Sequence, residues 1–199
     1  MSADSAFVVM LLTLGCVLVA RLIYSFLCGF SERMPNDVYP FLLSLDMEAL
    51  NGTFHPEAEE HFRNRLSEEE FRKVQFKRIH LALHYCNQVA HNARVFMSWM
   101  KYERSQNWGL LDPEVRELAL CLRDACAQCG LSSLVIRLRL RWWLVRMQLL
   151  PFLPPPAFKT LLRVGSADMI SFYETVLTLA ENFSQIYGED YHEKLVQAL

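Results

Sequence analysis

The stretch LVIRLRLRWWLVRMQLL, Leu134–Leu150, admits two backbones. From Ile136 to Trp142 apolar and basic residues alternate, which is the period of a half-buried strand. At the helical period, Leu134, Leu138, Trp142, Val145 and Leu149 share one face instead. Arg137 and Arg141 then fall on a second side, and Arg139 and Arg146 on a third. A strand needs a neighbour to take its backbone donors and acceptors. No other segment alternates convincingly, so a strand here would stand alone. The stretch is read as a helix, and the fold class follows from it: all-α.

The surrounding punctuation agrees. Upstream, LDPEVREL starts a helix, with Asp112 as N-cap, Pro113 as first helical residue and Glu114 behind it. Its apolar face is Val115, Leu118, Leu122, Ala125 and Cys129. Gly130 is expected to end it, with Ser132 or Ser133 capping a separate helix that Pro151 stops. PFLPPP reads as a stiff, partly polyproline II connector. A short helix to Val164 follows, then Gly165, a Ser166 cap, a long helix over about Ala167 to Tyr187, and a last turn or two from Tyr191 to Ala198.

Toward the N-terminus, Ser67 and Glu70 form a capping box, and Glu68–Glu70 suit the positive end of the helix dipole. The helix behind them is expected to reach about Tyr102. Its apolar stripe is Ile79, Leu83, Cys86, Ala90, Ala93, Met97 and Met100, in steps of four and three. Pro56 opens a shorter acidic helix. Pro40 opens another, expected to end at Asn51-Gly52.

The first thirty residues differ from all of this. Ala6–Phe30 is largely apolar and holds one charge, Arg21. As a helix it is about 37 Å long, enough to cross a ~30 Å hydrocarbon core. Arg21 lies toward the C-terminal third, where its stem can carry the charge to the interface. A secretion signal would begin with positive charge, yet only Asp4 precedes the run. The expectation is therefore an N-terminal transmembrane anchor over residues 1–31, followed by an irregular helical bundle over 32–199. Arg21 and Arg33 on the C-terminal side place that bundle in the cytoplasm of a single-pass protein.

Composition excludes some classes. The 199 residues carry a net charge of −2, so no global field points to nucleic acid. The six cysteines are scattered through apolar and helical patterns, unlike a disulfide framework. Cys121, Cys126 and Cys129 have the opening spacing of an iron–sulfur site, but no fourth cysteine follows. Glu189-x-x-His192 is half of a di-iron pattern with no second copy. Gly-rich phosphate loops, nucleophile elbows and zinc-protease helices are absent from the sequence.

Two constellations remain. Arg137, Arg139, Arg141, Trp142, Trp143 and Arg146 suit an interfacial helix, with arginines toward anionic headgroups and tryptophans at the acyl boundary. The competing reading is a core helix whose arginines pair with acids between Glu57 and Glu70. His80 and His84, four apart with Asn87 and His91 on the same side, are a candidate metal pair that needs further donors from another helix. The expected function is a membrane-anchored binding module contacting a protein partner, an anionic membrane surface, or both. The alternatives are a metalloenzyme built on His80 and His84, or a subunit of a larger membrane complex. No cofactor and no nucleic-acid partner are expected.

Overall fold

A computed structural model describes residues 38–106, 109, 111–150, 152–162 and 165–199. The chain divides into Met1–Arg33 and Met34–Leu199, and the described residues all belong to the second unit. The anchor assigned to residues 1–31 lies outside the described residues.

The described residues form α1 (Met47–Phe54), α2 (Pro56–Arg65), α3 (Glu68–Gln106), α4 (Pro113–Leu149), α5 (Lys159–Leu162), α6 (Ser166–Ser184) and α7 (Glu189–Ala198). Two 3₁₀ turns complete the set, Tyr39–Phe41 and Gln185–Tyr187, and there is no strand among these residues. The all-α expectation holds.

Local rules explain most of the boundaries. At the start of α3 the Ser67 N–H donates to Glu70 Oε2 at 3.0 Å, and the Glu70 N–H donates to Ser67 Oγ at 3.4 Å. This is the capping box read from sequence. Pro113 opens α4 as expected, though the Asp112 side chain makes no capping bond. Pro40 opens only a 3₁₀ turn, and α1 starts six residues beyond Phe41 because Asp46 caps it, accepting from the Ala49 N–H at 2.9 Å.

One boundary is corrected. Gly130 does not end a helix; α4 runs through it without interruption. A glycine inside a helix costs about 1 kcal/mol relative to alanine. Packing outweighs that here, since Cys126, Cys129, Gly130, Ser133 and Ile136 are all buried. Ser133 caps nothing. Its hydroxyl turns back and donates to the Cys129 carbonyl at 2.7 Å, four residues earlier in the same helix.

The core is a three-helix arrangement. α3 and α4 are the long antiparallel pair, with Asn87 opposite Arg137 and Phe76 near Met147. α6 runs alongside in the direction of α3. Asn92 Nδ2 donates to Tyr173 Oη at 2.7 Å, and Trp99 meets Phe183 edge-on at 5.0 Å between ring centroids. Ile79, Cys86, Phe96, Leu122, Leu140, Met169, Tyr173 and Phe183 fill the space between these helices. Each large apolar side chain so buried contributes about 1.5–3 kcal/mol.

Polar side chains fix the outlying segments. Buried Asn92 donates to the Leu43 carbonyl at 2.8 Å and accepts from the Leu43 N–H at 2.9 Å, which pins the chain before α1 onto α3. Buried Glu59 accepts from the Phe158 N–H at 2.6 Å. Arg78 lies over the Phe158 ring at 4.1 Å and donates to the Thr53 carbonyl at 2.8 Å. Together they tie α1, α2 and α3 to the proline connector. That connector is not an exposed polyproline ligand, because Pro155 and Pro156 are buried. At the other end, Tyr191 of α7 packs on Trp99, Tyr187 and Tyr39, and its hydroxyl accepts from the Val38 N–H at 3.3 Å.

Candidate functional site

α4 carries two apolar lines rather than one. The inner line, Cys129, Ile136, Leu140, Trp143 and Met147, is buried. The outer line is Leu131, Val135, Leu138, Trp142, Val145 and Leu149, in steps of four, three, four, three and four, and every member is exposed. It runs for about 27 Å along the helix. Leu150 and Phe152 extend it past the helix end, Phe152 being 77% exposed. A surface helix that packs on one side ordinarily shows polar residues on the other.

The apparent alternation is now explained. Leu138 points outward, Leu140 inward and Trp142 outward, so a two-residue period samples two helical faces in turn. The tandem tryptophans divide accordingly. Trp142 is 65% exposed, whereas Trp143 is 4% exposed and packs on Phe158 at 5.6 Å between centroids. Trp143 is thereby corrected from a surface residue to a core residue. Leu134, expected on the Leu138 face, is half-buried at its edge.

The four arginines border the outer line on both sides. At about 100° per residue, Arg137 and Arg141 lie to one side of it and Arg139 and Arg146 to the other. Among the described residues, no carboxylate comes within ion-pair distance of any of them. The pairing with acids of Glu57–Glu70 does not occur. Arg137 instead donates to Asn87 Oδ1 and to the Ser133 carbonyl, each at 3.3 Å, and Arg146 donates to the Pro154 carbonyl at 3.3 Å. Arg139 Nε is buried with no hydrogen-bond partner in the structure, and Arg141 is exposed. Burial, with the like charges of Arg94 and Arg141 close by, pulls the Arg137 guanidinium below its ordinary pKa. No Asp or Glu occurs between Asp124 and Asp168 to offset this charge locally.

The other candidates separate. His80 and His84 are exposed on α3; the His80 ring meets Phe76 edge-on at 4.6 Å and His84 lies 6.0 Å from Tyr85. His91 is engaged elsewhere, its Nε2 2.9 Å from the Phe41 carbonyl. Among the described residues no three His, Cys, Asp or Glu side chains gather to hold a metal. Cys126 and Cys129 are buried and Cys121 is exposed, all three as free thiols. His192 of Glu189-x-x-His192 sets its Nδ1 2.7 Å from Ser184 Oγ, and Ser184 is buried.

Sequence reasoning left the direction of the Leu138 face open between an interfacial and a core helix. The signal is present as two interleaved four-three series within one helix, of which a single bundle face can absorb only one. α4 is also, among the described residues, the one helix with the length and apolar composition to cross a membrane. Its buried inner line packs against α3 and α6. No family model, curated protein or solved structure matches this chain.

Proposed function

We propose that this chain is a membrane-tethered helical binding module whose Leu131–Leu149 face rests on an anionic bilayer surface. In this reading Ala6–Phe30 is the single-pass tether, and the bundle lies on the cytoplasmic side. The observation that carries the proposal is the exposed apolar line of α4, bordered on both sides by arginines that have no carboxylate partner among the described residues. Leucines and Trp142 would enter the acyl boundary while Arg137, Arg139, Arg141 and Arg146 reach headgroup phosphates. A protein partner with an apolar groove and acidic rims would satisfy the same face. A second copy of this chain suits it poorly, because arginine rows would face arginine rows.

The test uses a chain lacking Met1–Ser31, with helicity verified by circular dichroism, co-sedimented with zwitterionic and with phosphatidylserine-containing vesicles. Binding is expected only to the anionic vesicles and should weaken as salt rises. Replacing the four arginines by glutamine removes roughly 1 kcal/mol each, so binding should fall about a thousandfold with helicity retained. Unchanged binding would reject the assignment. The tether is tested by washing membranes that carry the full chain at alkaline pH, where an anchored protein stays and a peripheral one leaves.

A further inference from the structure

The small net charge hides two opposed surfaces. α6 and α7 carry six acids and one base, Lys194. On α3, by contrast, no Asp or Glu occurs between Glu70 and Glu103, and α4 has none after Asp124. The long antiparallel pair thus meets solvent over most of its length without a carboxylate of its own.

His80 and His84 stand on that acid-free surface. Arg137 reaches across the α3–α4 seam to Asn87 Oδ1 at 3.3 Å, so Arg137 and Arg141 lie on the side of the outer line turned toward α3. His84 and His80 come three and seven residues before Asn87, on the same side of α3. Because the helices are antiparallel, that step along α3 runs toward Arg141 on α4. Lys77 continues the row and borders the same seam beside Met147. Lys77, His80, His84 and Arg141 are all exposed, and among the described residues no carboxylate comes within ion-pair distance of any of them. The charged groups facing the two imidazoles are therefore Lys77 on their own helix and Arg137 and Arg141 from α4. Their uncharged neighbours are the rings of Phe76 and Tyr85.

Histidine is the side chain whose charge ordinarily changes between pH 5 and 8. Away from a membrane, the surrounding cations oppose a further proton on this face. Against an anionic bilayer the local field changes sign and the proton is favoured. Proton uptake and contact then reinforce each other.

We infer that the bilayer contact is two helices wide, reaching from the outer line of α4 across Arg137 and Arg141 to His80 and His84 of α3, and that it tightens as these imidazoles take up protons. The inference rests on the membrane-surface reading and adds to it a second helix and a pH response.

The experiment places the full chain, carrying ¹³C-labelled histidine, in nanodiscs of zwitterionic lipid and in discs containing phosphatidylserine. Imidazole signals are followed by NMR from pH 8 to pH 5. The midpoints of His80 and His84 are expected about half a pH unit higher on the anionic discs, the shift that the negative surface potential gives a group at the headgroups. His55 lines a cleft with Ile170 and Glu174 on the α6 side and serves as internal reference, moving far less. By linkage, two such shifts make the contact about tenfold tighter at pH 5 than at pH 8. His80→Gln and His84→Gln, at exposed positions, assign the signals and together should remove the acid-induced part of the blue shift of Trp142 emission. If neither imidazole moves while Trp142 emission still shifts on anionic discs, α4 meets the bilayer without α3; the inference is overturned and the membrane reading stands. If Trp142 does not respond either, both fall. Equal shifts at His80, His84 and His55 would report the general field around a tethered protein and overturn the contact.

Discussion

The two halves of α4 share one inner line and differ on the outer one. From Pro113 to Gly130 the outward positions are Glu117, Leu120, Asp124 and Gln128, a mixed and solvated edge. From Leu131 to Leu149 the same azimuth carries only apolar side chains, and the acids disappear. The packing demand on both halves is alike, since each buries its inner line against the bundle. The change on the outer side is therefore not a packing demand of the inner line. The proposed membrane contact assigns it to the C-terminal half and not the N-terminal half.

The sharpest way to break this comparison is to place one charge on each line. Leu140→Asp puts an unpaired carboxylate in the core and should cost roughly 4–5 kcal/mol or more, enough to unfold a marginal domain. Leu138→Asp, two residues away on the outer line, should leave the thermal midpoint nearly unchanged and abolish vesicle binding. Thermal unfolding by circular dichroism and vesicle co-sedimentation separate the two effects. Similar melting for both variants would mean that the outer line is packed after all.

The tandem tryptophans give a smaller contrast. Trp143→Ala removes a buried ring and its contact with Phe158, at about 3–5 kcal/mol. Trp142→Ala should change stability by less than about 0.5 kcal/mol. Urea unfolding measures the difference, and a blue shift of Trp142 emission on adding anionic vesicles reports its transfer to an apolar medium.

Alkaline pH tests the inner side alone. Burial pushes the Cys86 thiol up to about 12 and the Tyr173 hydroxyl up to about 12. In the unfolded chain these groups ionise near 8.5 and 10. Between those values and about 12 the unfolded state has lost protons that the folded state keeps. Stability is thus unaffected by these groups at neutral pH and falls as pH rises, by up to about 1.4 kcal/mol per unit for each. Cys86→Ala should flatten the first part of that decline in urea midpoints measured from pH 8 to 11.

The least disruptive probe is thiol alkylation under native conditions. Cys121, exposed in the N-terminal half of α4, should react with iodoacetamide, while buried Cys86, Cys126 and Cys129 should stay unmodified until urea is added. Peptide mass spectrometry reads each site. Rapid native labelling of Cys129 would show that the inner line opens at Gly130.

What can be read from sequence is local. The Ser67–Glu70 box and the Pro113 start depend on residues within one turn, and both lie where the pattern places them. Gly130 misleads because the packing of Cys129, Ser133 and Ile136 comes from helices distant in sequence. Trp142 and Trp143 cannot be told apart by pattern, since adjacent residues differ only in phase and α4 has apolar lines at both phases. The Arg78–Phe158–Glu59 assembly is also out of reach. Its members come from three separated segments, and each alone resembles ordinary surface composition. For the arginines the split between two sides is legible, but its meaning depends on the exposure of the line between them, which only the packed bundle reveals.

The junction at Val38 has a mechanical consequence. Its N–H is held by Tyr191, and the neighbouring Tyr39 ring lies 6.1 Å from that of Tyr191. A pull arriving at Val38 is therefore divided between two helices: α7, through Tyr191, and α3, through the paired bonds of Asn92 to Leu43 five residues on. Removing α7 would leave the Leu43–Asn92 clasp to carry the load alone, so trimming the C-terminus would be felt as a weaker hold on the N-terminal end of the bundle.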